Sequence, residues 1–256
     1  RKSNMGRETF IVPVVWEQEV RFGKKKNLWP VVAPETGRIE RENPLIFETS
    51  KAPSRGPKFQ DDFKNDKLGL EWNFRRVPMP NTLSLENKSG FLRLFTHPNT
   101  ITERKQAHYT GIKQTESDFI FTTKMLFSPS NNKSEAGIAI VQKDNNYVSF
   151  TVRKESDGMV IEVTHKNKKK HNLKSIKIKS YKGEIKLKIE SSKNRYTFSY
   201  ATPGKRFKTL VTSSADLVLF TGFTGAHIGL YATSNGLENK DHADFDWVKY
   251  IPKPRN

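Results

Sequence analysis

Two constellations of residues have types and spacings that could do chemistry. The first is Asn4-Met5-Gly6-Arg7-Glu8-Thr9-Phe10-Ile11-Val12-Pro13-Val14-Val15-Trp16-Glu17, followed by Trp29-Pro30-Val31-Val32 and Gly37-Arg38-Ile39. The second is spread along the rest of the chain: Phe59-Gln60-Asp61-Asp62-Phe63, Leu70-Glu71-Trp72-Asn73-Phe74, Gly90-Phe91-Leu92-Arg93-Leu94, Glu135-Ala136-Gly137-Ile138, Phe223-Thr224-Gly225-Ala226-His227-Ile228-Gly229-Leu230-Tyr231-Ala232 and Ala243-Asp244-Phe245-Asp246-Trp247. An arginine presents a rigid fork of hydrogen-bond donors, aromatic rings offer flat faces, and aspartates supply hard oxygens. Other chemistries lack their residues. There is no Gly-x-Ser-x-Gly elbow, no P-loop and no Gly-x-Gly-x-x-Gly opening a helix. The histidines at 97, 108, 165, 171, 227 and 242 do not have metal-ligand spacing, and cysteine is absent, so disulfides, thiolate metal sites and cysteine nucleophiles are excluded.

The elements that must position these residues read as β. Phe91–Phe95, Phe119–Phe127, Ala136–Val141, Tyr147–Val152, Met159–Val163, Ile176–Ile178, Ile185–Ile189, Tyr196–Tyr200 and Phe245–Tyr250 are short, β-branched or aromatic, and mostly alternate. Lys143-Asp144-Asn145-Asn146, Ser156-Asp157-Gly158, Lys182-Gly183-Glu184 and Thr202-Pro203-Gly204 punctuate them as turns. No stretch sustains a helical period with caps. Many short strands at regular spacing predict a two-sheet sandwich whose core lies between the sheets. Residues 1–60 are instead Pro-rich, with short apolar runs that cannot build a core alone, and Ser50–Pro57 is the breaker-rich boundary. The expected division is therefore 1–57, a sandwich over 58–252, and a tail at 253–256.

The 256 residues carry 45 Lys+Arg against 27 Asp+Glu, a formal charge of +18, while 17 Phe, 7 Tyr and 4 Trp supply core-forming surface that a disordered polycation would lack. Between Lys166 and Lys188 there are ten Lys and one acid, Glu184. In Ile176-Lys177-Ile178-Lys179 and Ile185-Lys186-Leu187-Lys188-Ile189 the Lys fall at every second position, which describes one apolar strand face and one solvated Lys row that also discourages edge pairing. A polyanion partner is the alternative, although no nucleic-acid-binding motif is present. No window approaches the roughly 18 apolar residues of a membrane span, no apolar segment of a signal peptide follows Arg1, and the compartment stays undecided. A chain that begins at Arg1 without an initiator Met is what an excised piece would show.

In this order and spacing the motifs resemble the β-xylosidase and α-arabinofuranosidase branch of glycoside hydrolase family 43. The first constellation is similar to the closing stretch of that family's five-bladed propeller, a Gly-Arg-Glu-Thr segment followed by Pro-Val-x-Trp and Trp-Pro-Val strands. The second is similar to the concanavalin A-like β-sandwich appended after it. The resemblance therefore implies an all-β chain: a jelly-roll sandwich preceded by a short propeller remnant. Inverting hydrolysis needs two carboxyl groups roughly 6.5–9.5 Å apart, and the family's three catalytic carboxylates belong to earlier blades. Glu8, Glu17 and Glu19 do not fall at those positions, so the expectation is an accessory domain that does not hydrolyse glycosides by itself.

The resemblance also implies particular sites. Arg7 would donate hydrogen bonds to sugar hydroxyls, with an ion pair to a nearby carboxylate as the plainer alternative. Phe223 would help to close the pocket, and His227 stands where the family carries a second aromatic. Sandwiches of this kind often hold Ca²⁺, and Asp61 or Asp62 with Asp244 or Asp246 would supply some of the six to eight oxygens required, unless these aspartates hydrogen-bond turns instead. The implied partners are a xylan or arabinoxylan-type oligosaccharide or a glycosidase propeller. A free-standing carbohydrate- or polyanion-binding module is the alternative, with Trp16, Trp29 and Trp72 as stacking surfaces unless they are buried, and a disordered Arg1–Pro57 is a third reading.

Overall fold

The computed structural model describes residues 4–7, 9–40, 57–167, 169–179, 181–220 and 222–253. Two compact units emerge, one of residues 8–53 and one of residues 1–7 with 54–256. Residues 4–7 thus group with the sandwich, not with the segment that follows them in sequence. The expected linker at Ser50–Pro57 lies, apart from Pro57, outside the described residues.

The smaller unit is an antiparallel hairpin of β1 (Val14–Arg21) and β2 (Lys24–Val32). Phe22 and Gly23 form its turn with positive φ at both positions, 51° and 71°, the two-residue geometry that matches strand twist. The hairpin does not bury its apolar side chains. Trp16 is 51% and Trp29 72% exposed, whereas Trp72 of the larger unit is buried.

The larger unit is the two-sheet sandwich that strand spacing predicts. Its strands are β3 (Phe59–Asp61), β4 (Asn73–Phe74), β5 (Leu83–Ser84), β6 (Leu92–Phe95), β7 (His108–Lys113), β8 (Phe119–Phe127), β9 (Glu135–Lys143), β10 (Asn146–Glu155), β11 (Gly158–Asn167), β12 (Lys169–Ile178), β13 (Glu184–Ser192), β14 (Arg195–Ala201), β15 (Lys208–Ser214), β16 (His227–Thr233) and β17 (His242–Pro252), with one 3₁₀ turn at Ala215–Val218. One sheet runs β12-β11-β10-β9-β16-β7-β4 and the other β15-β14-β13-β8-β17-β6-β5, with β3 also paired to β17.

Alternation explains the core. On β8, Phe119, Phe121, Thr123, Met125 and Phe127 are buried while the intervening residues are partly exposed, and Ile185, Leu187 and Ile189 of the neighbouring β13 repeat the pattern. Phe150 of one sheet meets Phe198 of the other edge-to-face at 5.6 Å. β9 and β10 depart from alternation because both of their faces are covered. A second cluster, containing Ile101, Ala107, Tyr109, Tyr147 and Tyr231, lies apart from the main core. The last strand extends to Pro252, and Lys253 is also held, its N–H donating to Asp118 O and its Nζ 2.5 Å from Glu190 Oε1. Of the expected tail at 253–256, residues 254–256 lie outside the described residues.

Candidate functional site

The loop entering β16 is pinned from beneath. Gln142, at the end of β9, accepts a hydrogen bond from Phe220 N–H at 2.6 Å and donates to Thr224 O at 3.0 Å. Gln114 N–H donates to Ala226 O at 3.0 Å, and Ala226 N–H donates to Asn4 O at 2.7 Å. With both of its peptide groups engaged, Ala226 ties the start of the chain to a loop more than 200 residues away.

Two glycines make this approach possible. Gly6 has φ +77°, and a Cβ placed on it would stand 2.6 Å from Gly225 N. A Cβ on Gly225 would in turn meet Asn4 O and Met5 at 3.0 Å. Side chains at either position would push the two backbones apart, and the positive φ at Gly6 disfavours any L residue. Turning there, the chain lays the Arg7 guanidinium over the Phe223 ring, 4.0 Å from its centroid. Phe223 is 72% exposed. The two motifs that sequence reading singled out at opposite ends of the chain thus form one surface: a fork of N–H donors on an exposed aromatic face. Glu8, the next residue of the first motif, lies outside the described residues; Glu17 and Glu19 stand on β1, where Glu19 pairs with Arg21 at 2.7 Å.

His227 opens β16 and lies opposite Lys113 of β7 and Val141 of β9. Burial, followed by the charges of Lys113 and Arg75, holds its imidazole pKa below the usual value. A neutral imidazole can donate one hydrogen bond and accept another. Arg75, partly exposed, is ion-paired with Asp144. Sequence reading placed Asn4 in the first motif without a role, although its carbonyl holds Ala226, and missed Gln142, whose side-chain amide holds the loop through the backbone of Phe220 and Thr224.

The four aspartates do not converge. Asp61 accepts from Phe63 N–H at 2.9 Å and from the indole N–H of buried Trp72 at 2.8 Å. Asp62 pairs with Lys64 at 2.7 Å, and that hydrogen bond holds its carboxyl below the usual range. Asp244 receives both arms of Arg93, at 2.7 and 3.0 Å, with Lys88 at 3.4 Å, and Asp246 pairs with Lys124 at 3.0 Å. Cations or N–H donors occupy the oxygens expected for Ca²⁺, and among the described residues no group of three or more His, Asp or Glu could hold a metal ion. The residues present do not fit a Ca²⁺ site.

Residues 60–251 match the family described as the beta xylosidase C-terminal concanavalin A-like domain. The chain belongs to that family. The chain is 28% identical over 249 residues to a non-reducing end alpha-L-arabinofuranosidase of Bacteroides ovatus, covering 96% of this chain and 45% of the relative. It is 30% identical to a xylosidase/arabinosidase of Butyrivibrio fibrisolvens, covering 96% of this chain and 46% of the relative. Among solved structures, the GH43B protein of the Bacteroides ovatus xyloglucan locus superposes with a TM-score of 0.81 at 27% identity, over 99% of this chain and 49% of that one. The chain spans about half the length of the curated relatives it matches. It carries the C-terminal domain of family 43 xylosidase/arabinofuranosidase-like proteins.

Proposed function

We propose that this sandwich completes the sugar pocket of a family 43 glycosidase, with Arg7 and Phe223 as the groups that it brings to the substrate. The observation that carries this reading is the Arg7–Phe223 stack, held on an exposed surface by two glycines and the Asn4–Ala226 hydrogen bond. Sugars are bound through hydroxyls and through the C–H faces of their rings, and a guanidinium beside an aromatic face meets both needs. The stack also fixes the arginine's rotamers, which lowers the entropy lost on binding.

The substrate would be a xylan or arabinoxylan-type oligosaccharide, consistent with the activities named for the relatives. The partner would be a catalytic propeller. The exposed apolar side chains of the β1–β2 hairpin, Trp16 and Trp29 among them, are a surface of the kind that adjoining blades would cover. In this reading the carboxylates that perform hydrolysis come from that propeller, and the sandwich contributes binding and closure.

Heteronuclear NMR of the full chain titrated with arabinose and xylose tests the reading. Shifts centred on the Arg7 side chain, Phe223 and Gly225, and lost in Arg7→Ala, are expected. Shifts that avoid this loop, or that persist in Arg7→Ala, would contradict it.

A further inference from the structure

A concave surface lies where the two sheets end. β12 is the edge strand of one sheet and β15 the edge strand of the other, and between them opens a cleft of about 690 Å³. Lys177 and Lys179 reach it from β12 and the residue beyond, Lys182 from the following loop, Lys205 and Arg206 from the turn after β14, and Lys208 from β15. Lys177 pairs with Asp157. Among the described residues, no carboxylate pairs with the other five.

Edge protection accounts for exposed lysines along one strand, such as Lys169 and Lys174 on β12. It does not account for cations that converge on one concavity from four separate stretches of chain. Five unpaired like charges around a cleft repel one another and focus a positive potential within it, which an anionic occupant relieves. The volume falls in the range of about 300–1,000 Å³ typical of ligand pockets. Tyr200, half-buried, and Pro203 add ring surfaces to the wall. A ligand that suits this cleft combines flat rings with several negative charges.

We propose that the cleft binds an acidic oligosaccharide, a short run of sugar rings carrying carboxylates, with Tyr200 against a ring and Lys179, Lys205, Arg206 and Lys208 on the carboxylates. The saccharide part of this assignment rests on the glycosidase reading above; the requirement for negative charge rests on the cleft alone. Such a site would hold the domain on uronate-bearing regions of a polysaccharide while a separate pocket meets neutral sugar ends.

The test is affinity electrophoresis and calorimetry of the full chain with polygalacturonate and a glucuronic acid-substituted xylan, against neutral arabinoxylan and duplex DNA. Binding to both uronate polymers is expected, weakening as salt rises. In the triple variant K205S/R206S/K208S, whose substituted side chains are all exposed, affinity should fall about tenfold or more. K179S/K182S, on the opposite wall, should weaken binding in the same direction, so the result does not depend on one variant folding. Absence of uronate binding, equal binding to neutral arabinoxylan, tighter binding to DNA than to polygalacturonate, or unchanged affinity in both variants would overturn the proposal. Phe223→Ala should leave uronate binding intact, which separates failure of the cleft from failure of the proposed role of the Arg7–Phe223 stack.

Discussion

The Arg7 guanidinium lies 4.0 Å from the centroid of the Phe223 ring, joining the first turn of the chain to the loop before its penultimate strand. Coulombic attraction to a ring face is worth roughly 0.5–1 kcal/mol at an exposed site, too little to hold the segment. What holds it is the backbone beneath: Asn4 O on Ala226 N–H and Gly6 against Gly225.

Gly6→Ala should therefore loosen the segment without unfolding the sandwich. The new Cβ would stand 2.6 Å from Gly225 N, on a residue with φ +77°. Because the segment can peel away, the loss of stability should stay near 1–2 kcal/mol. Amide exchange at Ala226 should accelerate far more than exchange at Ile228, two residues further on within β16. An unchanged Ala226 amide would show that the close approach does not hold the segment.

Asp244→Asn removes the carboxylate that receives both arms of Arg93. Burial alone would raise the Asp244 carboxyl, but the Arg93 hydrogen bonds and charge, with His242 and Lys88, hold it below the usual range. A depressed carboxyl contributes stability above its unfolded pKa, and that contribution is lost as pH falls through the folded value. The variant should lose about 2 kcal/mol near pH 7, with a smaller difference from wild type in strong acid. Urea unfolding at several pH values measures both.

The way these two sites are built explains how much of them was legible in the sequence. β8 and β13 were, because Phe119–Phe127 and Ile185–Ile189 bury every second residue and leave a period-2 signal. β7 was not, since His108 to Ile112 are buried on both faces, and β15 was not, since it is a polar edge strand with Leu210 as its buried residue. Arg7 and Phe223 were readable as motifs, but their meeting depends on two glycines and a buried Gln142 whose partners are backbone atoms. The four aspartates look alike as a sequence pattern. Arg93 faces Asp244 through the pairing of β6 with β17, a neighbour 151 residues away that composition cannot reveal.

Acid sensitivity should have a second source at higher pH. His108 donates from Nδ1 to Phe95 O at 2.7 Å and lies 4.5 Å, ring to ring, from His97. Burial, against the Phe95 hydrogen bond and with the His97 charge, pushes its pKa from 6.5 down to about 4. The unfolded chain then takes up the proton first, so stability falls as pH drops from about 6.5 towards 4, by up to about 3 kcal/mol, and levels off below. His108→Asn, which keeps a donor but does not titrate, should flatten that slope.

Chelation should leave the fold untouched. With Arg93, Lys124, Lys64 and the Trp72 indole on the aspartate oxygens, EDTA and added Ca²⁺ should give the same thermal midpoint. A Ca²⁺-dependent rise of several degrees would point to a ligand set that these residues do not form.

Enzyme kinetics decide whether the sandwich supplies a wall of the sugar pocket. Residues 1–256 replace the matched half of the Bacteroides ovatus arabinofuranosidase, and kcat and KM are measured on an aryl arabinofuranoside with and without Phe223→Ala. The expected result is an active chimera in which Phe223→Ala raises KM about tenfold while the thermal midpoint holds, because the ring is exposed and its loss removes binding rather than packing. An active chimera with the same KM and kcat with and without the Phe223 ring would contradict the account.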